Sequence, residues 1–189
     1  MFQLPDEDQQ LLLGIARNAV EAHVSGNSLQ LPVIRQGIVS QRHGVFVSIH
    51  RGKELRGCIG NVMTDSALYR TTARCAVAAA TSDPRFPPVT LDELPHVTFE
   101  LSVLSIPEPV HNVEQIEVGK HGLIISKGPA RGLLLPQVAT QYRWNRNQFL
   151  AETCMKAGID PNAWKQGASI HYFTANVFGE KLIHPPTTS

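Results

Sequence analysis

Residues 55–60, Leu-Arg-Gly-Cys-Ile-Gly, set a thiol two positions from a guanidinium and between two glycines. On a strand, residues i and i+2 share a face, so Arg56 and Cys58 are expected to point the same way. A cation beside a thiol favours thiolate, the form that attacks electrophiles, is oxidised or forms a thioester. Gly57 and Gly60 would let a ligand or another backbone approach closely. Cys58 is therefore the first candidate nucleophile, weighed against the usual fate of a free cysteine as a small buried hydrophobe. A base is harder to find. His50 lies on the preceding strand and faces Cys58 in only one register of the hairpin. His121, at the start of a later strand, is the second catalytic candidate, as acid, base or ligand; otherwise a lone histidine is a structural hydrogen-bonder.

Several further residues read as binding groups. The planar fork of Arg56 suits a carboxylate or phosphate. Its other reading is a pair with Glu100 or Asp83 that ties the sheet to a proline loop. Asp83 and Arg85 flank Pro84 in a stiff turn, with Phe86 as an anchor into the core. Arg85 either faces a ligand there or closes a rigid loop. Glu100 joins the site only if its strand face meets the 55–60 turn. Gln137, beside Pro136, reads an amide or base edge, or is a turn residue. Arg143, Trp144 and Arg146 would stack on and pair with a nucleotide. Cys75 and Cys154 are expected in the core. No HxxxH, HExxH, CxxC or EF-hand spacing points to a metal. Neither GxGxxG nor a Walker loop points to a dinucleotide or triphosphate. No metal and no cofactor is expected.

The elements that would hold these residues are legible. Asp6, with Gln9 three residues on, opens a helix carrying Leu12, Ile15, Ala16, Ala19 and Val20 at helical spacing, and 25–27 ends it. Residues 44–50 and 55–59 are strands joined by a turn at 51–54. An alanine-rich helix over 66–81 can pack close to a sheet. Three prolines within 84–88 forbid helix there. Val97, Phe99, Leu101 and Val103 alternate with polar residues as a half-buried strand. A second hairpin spans 121–135. Asn145 with Gln148 opens a helix that Gly158 closes, Asp160-Pro161 starts a short turn, and 170–178 reads as one long final strand. Hairpin-joined strands with irregularly interspersed helices give α+β, a mainly antiparallel sheet flanked by helices.

Length bounds this to one domain over 1–184, or one domain with a small lobe, followed by a frayed tail at 185–189. Charged residues make up 17% of the chain and the formal charge is +1, which leaves little electrostatic case for gripping nucleic acid. Three cysteines without even pairing argue against a disulfide framework. Neither a signal peptide nor a membrane-length apolar run is read, so the chain is expected in the cytoplasm.

Five stretches carry a family resemblance. Beside 55–60 stand Asp83-Pro84-Arg85-Phe86-Pro87-Pro88-Val89 with Leu91-Asp92-Glu93-Leu94-Pro95, and then His121-Gly122-Leu123. Leu135-Pro136-Gln137-Val138-Ala139 follows, then Phe149-Leu150, Lys156-Ala157-Gly158 and Trp164. In this order, from about residue 44 to 180, the chain resembles the AMMECR-type family, also called AmmeMemoRadiSam system protein A. One departure is Tyr142-Arg143-Trp144-Asn145, where the family usually has Gly-Trp-Asp. The resemblance implies an α+β sheet with a smaller helical lobe and no established activity. It also implies companions, a Memo-type protein and a radical S-adenosylmethionine enzyme.

Two functions follow as expectations. One is an enzyme acting on a small or nucleotide-like substrate in a cleft lined by Arg56, Cys58, Asp83, Arg85 and Glu100. The other is a non-catalytic scaffold that holds substrate for the two companions. Nucleic-acid recognition is disfavoured by the near-zero charge.

Overall fold

The computed structural model describes residues 2–180. In chain order the elements are α1 (Asp6–Val24), β1 (Val45–Arg51), β2 (Glu54–Asn61), α2 (Leu68–Thr81), β3 (Thr98–Leu104) and β4 (Glu108–Pro109). Then come β5 (Gly122–Lys127), β6 (Ala130–Leu134), α3 (Pro136–Gln141), α4 (Arg146–Lys156), β7 (Ser169–Phe173) and β8 (Ala175–Gly179). The fold is α+β with two antiparallel sheets, and each belongs to one of two compact units. The expected tail at 185–189 lies outside the described residues. Among the described residues no helix is long and apolar enough to cross a membrane.

The unit built on Leu4–Val103 and the strand after Asn176 holds the sheet β2-β1-β3-β8. Alternation does the sorting here. Val45, Val47 and Ile49 of β1 and Phe99, Leu101 and Val103 of β3 are buried on one face. α2 packs against β1 and β2, and α1, whose Leu12, Ala16, Ala19 and Val20 are buried, packs on α2. Gly57 lets α2 lie close to the strand, because a Cβ there would strike the carbonyl oxygen of Ala79. Arg17 ties α1 to the sheet's end. Its Nε and Nη2 donate to Glu180 at 2.7 and 2.6 Å, and Nη2 also donates to Val97 O at 2.9 Å.

The unit built on Leu104–Ala175 carries its own sheet, β4-β7-β5-β6, beside α3 and α4. Its core gathers Ile116, Leu123, Ile125, Ala139, Phe149, Leu150, Cys154 and Ala163. Cys154 is fully buried there and Cys75 is 2% exposed in the first unit, as core thiols should be.

Three local details differ from expectation. α1 is capped by Pro5, not by Asp6, and no side chain bonds its first turn; Gln9 Nε2 instead donates to Leu4 O. A proline before three acidic residues serves as well, since the acids already complement the helix dipole. The long final strand is two strands, β7 and β8, in different sheets. Thr174 breaks it, exchanging hydrogen bonds with Ser105 through its own N–H and carbonyl.

The third detail is the end of α3. α1, α3 and α4 all close with paired bonds from C′ and C″ back to the last turn, such as Gly158 N to Met155 O and Ile159 N to Cys154 O. This geometry needs a left-handed residue at C′, which α1 fills with Gly26 and α4 with Gly158. α3 fills it with Arg143 at φ 55°, the position of the Gly-Trp-Asp departure. An L-residue there costs roughly 1–2 kcal/mol, partly offset by glycine's greater unfolded entropy. Replacing Arg143→Gly should therefore raise unfolding free energy by about 0.5–1 kcal/mol in a urea titration. An unchanged or lower midpoint would mean that the exposed guanidinium contributes more than the strain costs.

Candidate functional site

The 55–60 segment lies on β2, the outer strand of its sheet. The two-residue turn at Gly52 (φ 62°) pairs Arg51 with Glu54 and His50 with Leu55. The register then shifts. Gly57 faces Ile49 and Cys58 faces Ser48, which leaves Arg56 as the extra residue of a bulge. Without that bulge Cys58 would oppose Val47 and point into the α2 side. With it, Cys58, Ser48 and Glu100 form one row across β2, β1 and β3, on the face away from the buried valines. Ser48 Oγ donates to Cys58 Sγ at 3.2 Å, and the thiol is half-buried.

The bulge also corrects the expected alliance of Arg56 with Cys58, because it breaks the i, i+2 alternation. Arg56 turns to the chain after α2. Its Nε and Nη2 donate to the two oxygens of Glu93 at 2.9 Å each, and Nη1 donates to Pro87 O at 2.8 Å. Its partner is Glu93, not Glu100 or Asp83. The pair ties sheet to proline loop, with Arg56 12% and Glu93 20% exposed. Arg56 chiefly, with help from the Thr90 N–H, holds the Glu93 carboxyl down to about 2.

Residues 83–88 run along the outer edge of β2. Asp83, 2% exposed at its side chain, accepts the Cys58 N–H at 2.9 Å and so caps an otherwise open edge donor. The same oxygen, Oδ2, accepts Nη2 of Arg85 at 2.7 Å, while Oδ1 accepts Nε at 2.9 Å and the Arg85 N–H at 3.1 Å. The Arg85 bonds, opposed by burial, hold the Asp83 carboxyl well below the usual carboxylate range. Asp83 in turn raises the guanidinium, and the charge of a Cys58 thiolate adds to that effect. Arg85 is 57% exposed and oriented by a buried acid that also bonds the Cys58 backbone.

Gly57 and Gly60 do admit close approach, of α2 and of the Phe46 ring respectively. Glu100 stands on the Cys58 face with Ser48 between them. His50 faces Leu55 and Thr98, one row from the thiol. Its Nε2 is enclosed and lacks a hydrogen-bond partner; Glu100 Oε1 is 3.9 Å away. Cys75 and Cys154 are both pushed up by burial, which keeps those thiols protonated.

His121 and Gln137 belong to the Leu104–Ala175 unit. The His121 ring is 6% exposed and stacks on Tyr172 at 4.5 Å between centroids, and its Nδ1 accepts the Glu117 N–H at 3.1 Å. Burial first, then the Lys120 charge, lowers its pKa. Gln137 is exposed in the first turn of α3, and its carbonyl accepts the Thr140 hydroxyl at 2.8 Å. Among the described residues no three His, Cys, Asp or Glu side chains converge as a metal cluster.

Sequence reasoning missed Ser48 and Glu93. Glu93 had a signal, since Thr90-x-x-Glu93 is a capping-box spacing, and both halves of that box form. Ser48 had none, because its place opposite Cys58 depends on the bulge.

Residues 13–178 match the model of the AMMECR1 family. The chain is 40% identical over 187 residues to a protein of Methanosarcina barkeri, covering 94% of this chain and 93% of that one. It is 38% identical over 198 residues to protein PF1979 of Pyrococcus furiosus, covering 98% and 94% respectively. The crystal structure of the uncharacterized protein PH0010 from Pyrococcus horikoshii shares the fold with a TM-score of 0.85, at 38% identity and 95% coverage of both chains. Motifs, family model and fold agree, and this chain belongs to the AMMECR1 family.

Proposed function

We propose that this protein binds a small anionic substrate, a carboxylate or a nucleotide-like phosphate, against Arg85 and the Cys58 thiol. One observation carries the reading: a single buried oxygen, Asp83 Oδ2, bonds both the Cys58 backbone and the Arg85 guanidinium. A half-exposed arginine, held by an acid that also bonds the backbone of a half-buried cysteine, supports reading the place as an anion receptor with a nucleophile at its edge. Cysteine chemistry there would be acyl transfer, in which Cys58 Sγ attacks a substrate carbonyl, a thioester forms as the bond to the leaving oxygen breaks, and the thiol proton departs with that oxygen.

A non-catalytic role has its own support. Ser48, not His50, stands directly opposite Cys58. In that role the site holds the substrate for a Memo-type protein and a radical S-adenosylmethionine enzyme.

The test compares alkylation of Cys58 by iodoacetate and by neutral iodoacetamide, read by mass spectrometry with Cys75 and Cys154 as internal controls. Cys58 should label in the folded protein with a preference for the anionic reagent, and AMP should protect it better than adenosine. Arg85→Gln should cut that preference by about tenfold, the scale of one charge-assisted contact. Equal rates for both reagents in wild type and variant would refute an anion site. Cys58→Ser then separates the two roles: ligand binding survives in both, and turnover is lost only in the enzyme.

A further inference from the structure

The outer side of α2 carries a groove that neither hydrophobic core nor the thiol site uses. Its volume is about 370 Å³, within the roughly 300–1,000 Å³ of small-molecule pockets. Leu29 and Leu31 line it from the chain after α1, and Ala73 and Val77 line it from the helix. Among the described residues, Arg70 and Arg74 are the ionisable groups that line it.

Those two arginines stand one helical turn apart, where like charges repel. Arg70 sits over the Tyr69 ring at 5.2 Å, and Arg74 Nη2 donates to Thr64 Oγ1 at a long 3.3 Å. Among the described residues neither has a carboxylate partner. Arg17, Arg56, Arg85 and Arg146 each have one. An apolar trough with two unneutralised guanidiniums at its rim has the charge and hydrophobic pattern of a receptor for a molecule that is greasy at one end and negative at the other.

We infer that this groove binds an amphipathic anion, its single apolar chain along Leu29, Leu31 and Val77 and its carboxylate or phosphate head between Arg70 and Arg74. The head relieves the i, i+4 repulsion, and the chain covers apolar surface that water now wets. The inference is independent of the Cys58 reading, since the two sites use different residues.

The experiment is an amide NMR titration of the full chain with decanoate, decyl phosphate and decanol. Both anions should shift amides at 29–31 and 70–82 in a saturable way and bind at least about tenfold tighter than decanol. Lengthening octanoate to decanoate should tighten binding by about two- to fourfold per methylene. Arg70→Gln with Arg74→Gln, both exposed positions, should remove the anion advantage and leave decanol unchanged. Preference between the two heads identifies the ligand source, and either supports the site. Equal binding of decanol and decanoate, shifts elsewhere, or an unaffected double variant would overturn it. So would a concentration-dependent dimer that decanoate dissociates, because a second copy would then be the occupant.

Discussion

Replacing Gly57→Ala should destabilise the protein by about 3 kcal/mol, the upper part of the range for overpacking. The added methyl meets the carbonyl oxygen of Ala79, with the Ala79 carbonyl carbon at 3.1 Å behind it. Both obstacles are backbone atoms of α2, so no rotamer change relieves the clash. α2 must move away from β2, and it loses contact along the same buried face that carries Cys75, Ala76 and Ala79. For a chain of this length the melting temperature should fall by about 6–12 °C. Gly14→Ala, in the middle of α1, is the internal comparison. A Cβ there meets nothing within 4 Å, so the alanine should stabilise by about 0.5–1 kcal/mol. A loss at Gly14 as large as that at Gly57 would mean that helix–strand approach is not what Gly57 provides.

Replacing Arg56→Ala should cost about 3 kcal/mol, because it removes one partner of a largely enclosed ion pair and strands the other. Four hydrogen bonds go with it, two to Glu93 and one each to the carbonyls of Pro87 and Pro88. The loop that carries Asp83 and Arg85 is then held at one end only. Hydrogen exchange at the Cys58 N–H should accelerate, and the iodoacetate preference at Cys58 should fall although Arg85 itself is untouched. Acid sensitivity gives a second readout. Glu93 titrates at about 2 in the folded protein, against a usual 4.5. Between those values the unfolded chain binds more protons, so stability falls as pH drops through that window. Asp83 is depressed too and pulls in the same direction. Glu93→Gln should therefore flatten, without abolishing, the loss of unfolding free energy below pH ~4.5. A wild-type slope retained in Glu93→Gln would show that the Arg56 pair is not its source.

Both predictions turn on contacts of the 55–60 segment, and that segment was legible only in part. Its residue types marked it as the place to look. Asp83 of the 83–88 loop bonds both the Cys58 backbone and Arg85. The expected partner of Arg56 was the wrong one, because a single bulged residue sends it to Glu93. A two-residue change of neighbour is invisible to a period-two argument, which assumes an unbroken ladder.

By itself the sequence determined what is local. Asn145 with Gln148 caps α4 as read, Gly158 and Gly26 take left-handed closing positions, and Gly52 turns the first hairpin. The alternation of Phe99, Leu101 and Val103 named the buried face of β3, and the prolines after Asp83 kept that stretch out of helix. Each of these depends on residues within a few positions of one another, so the pattern is complete in the sequence. Only the tertiary structure decided the bulge at Arg56, the Glu93 partnership, the break at Thr174 and the division of the strands between two sheets. Those depend on which distant backbone supplies each hydrogen bond. Strand propensity is the same on either side of Thr174, and Arg56 has several acids within reach in sequence terms, so only packing selects among them.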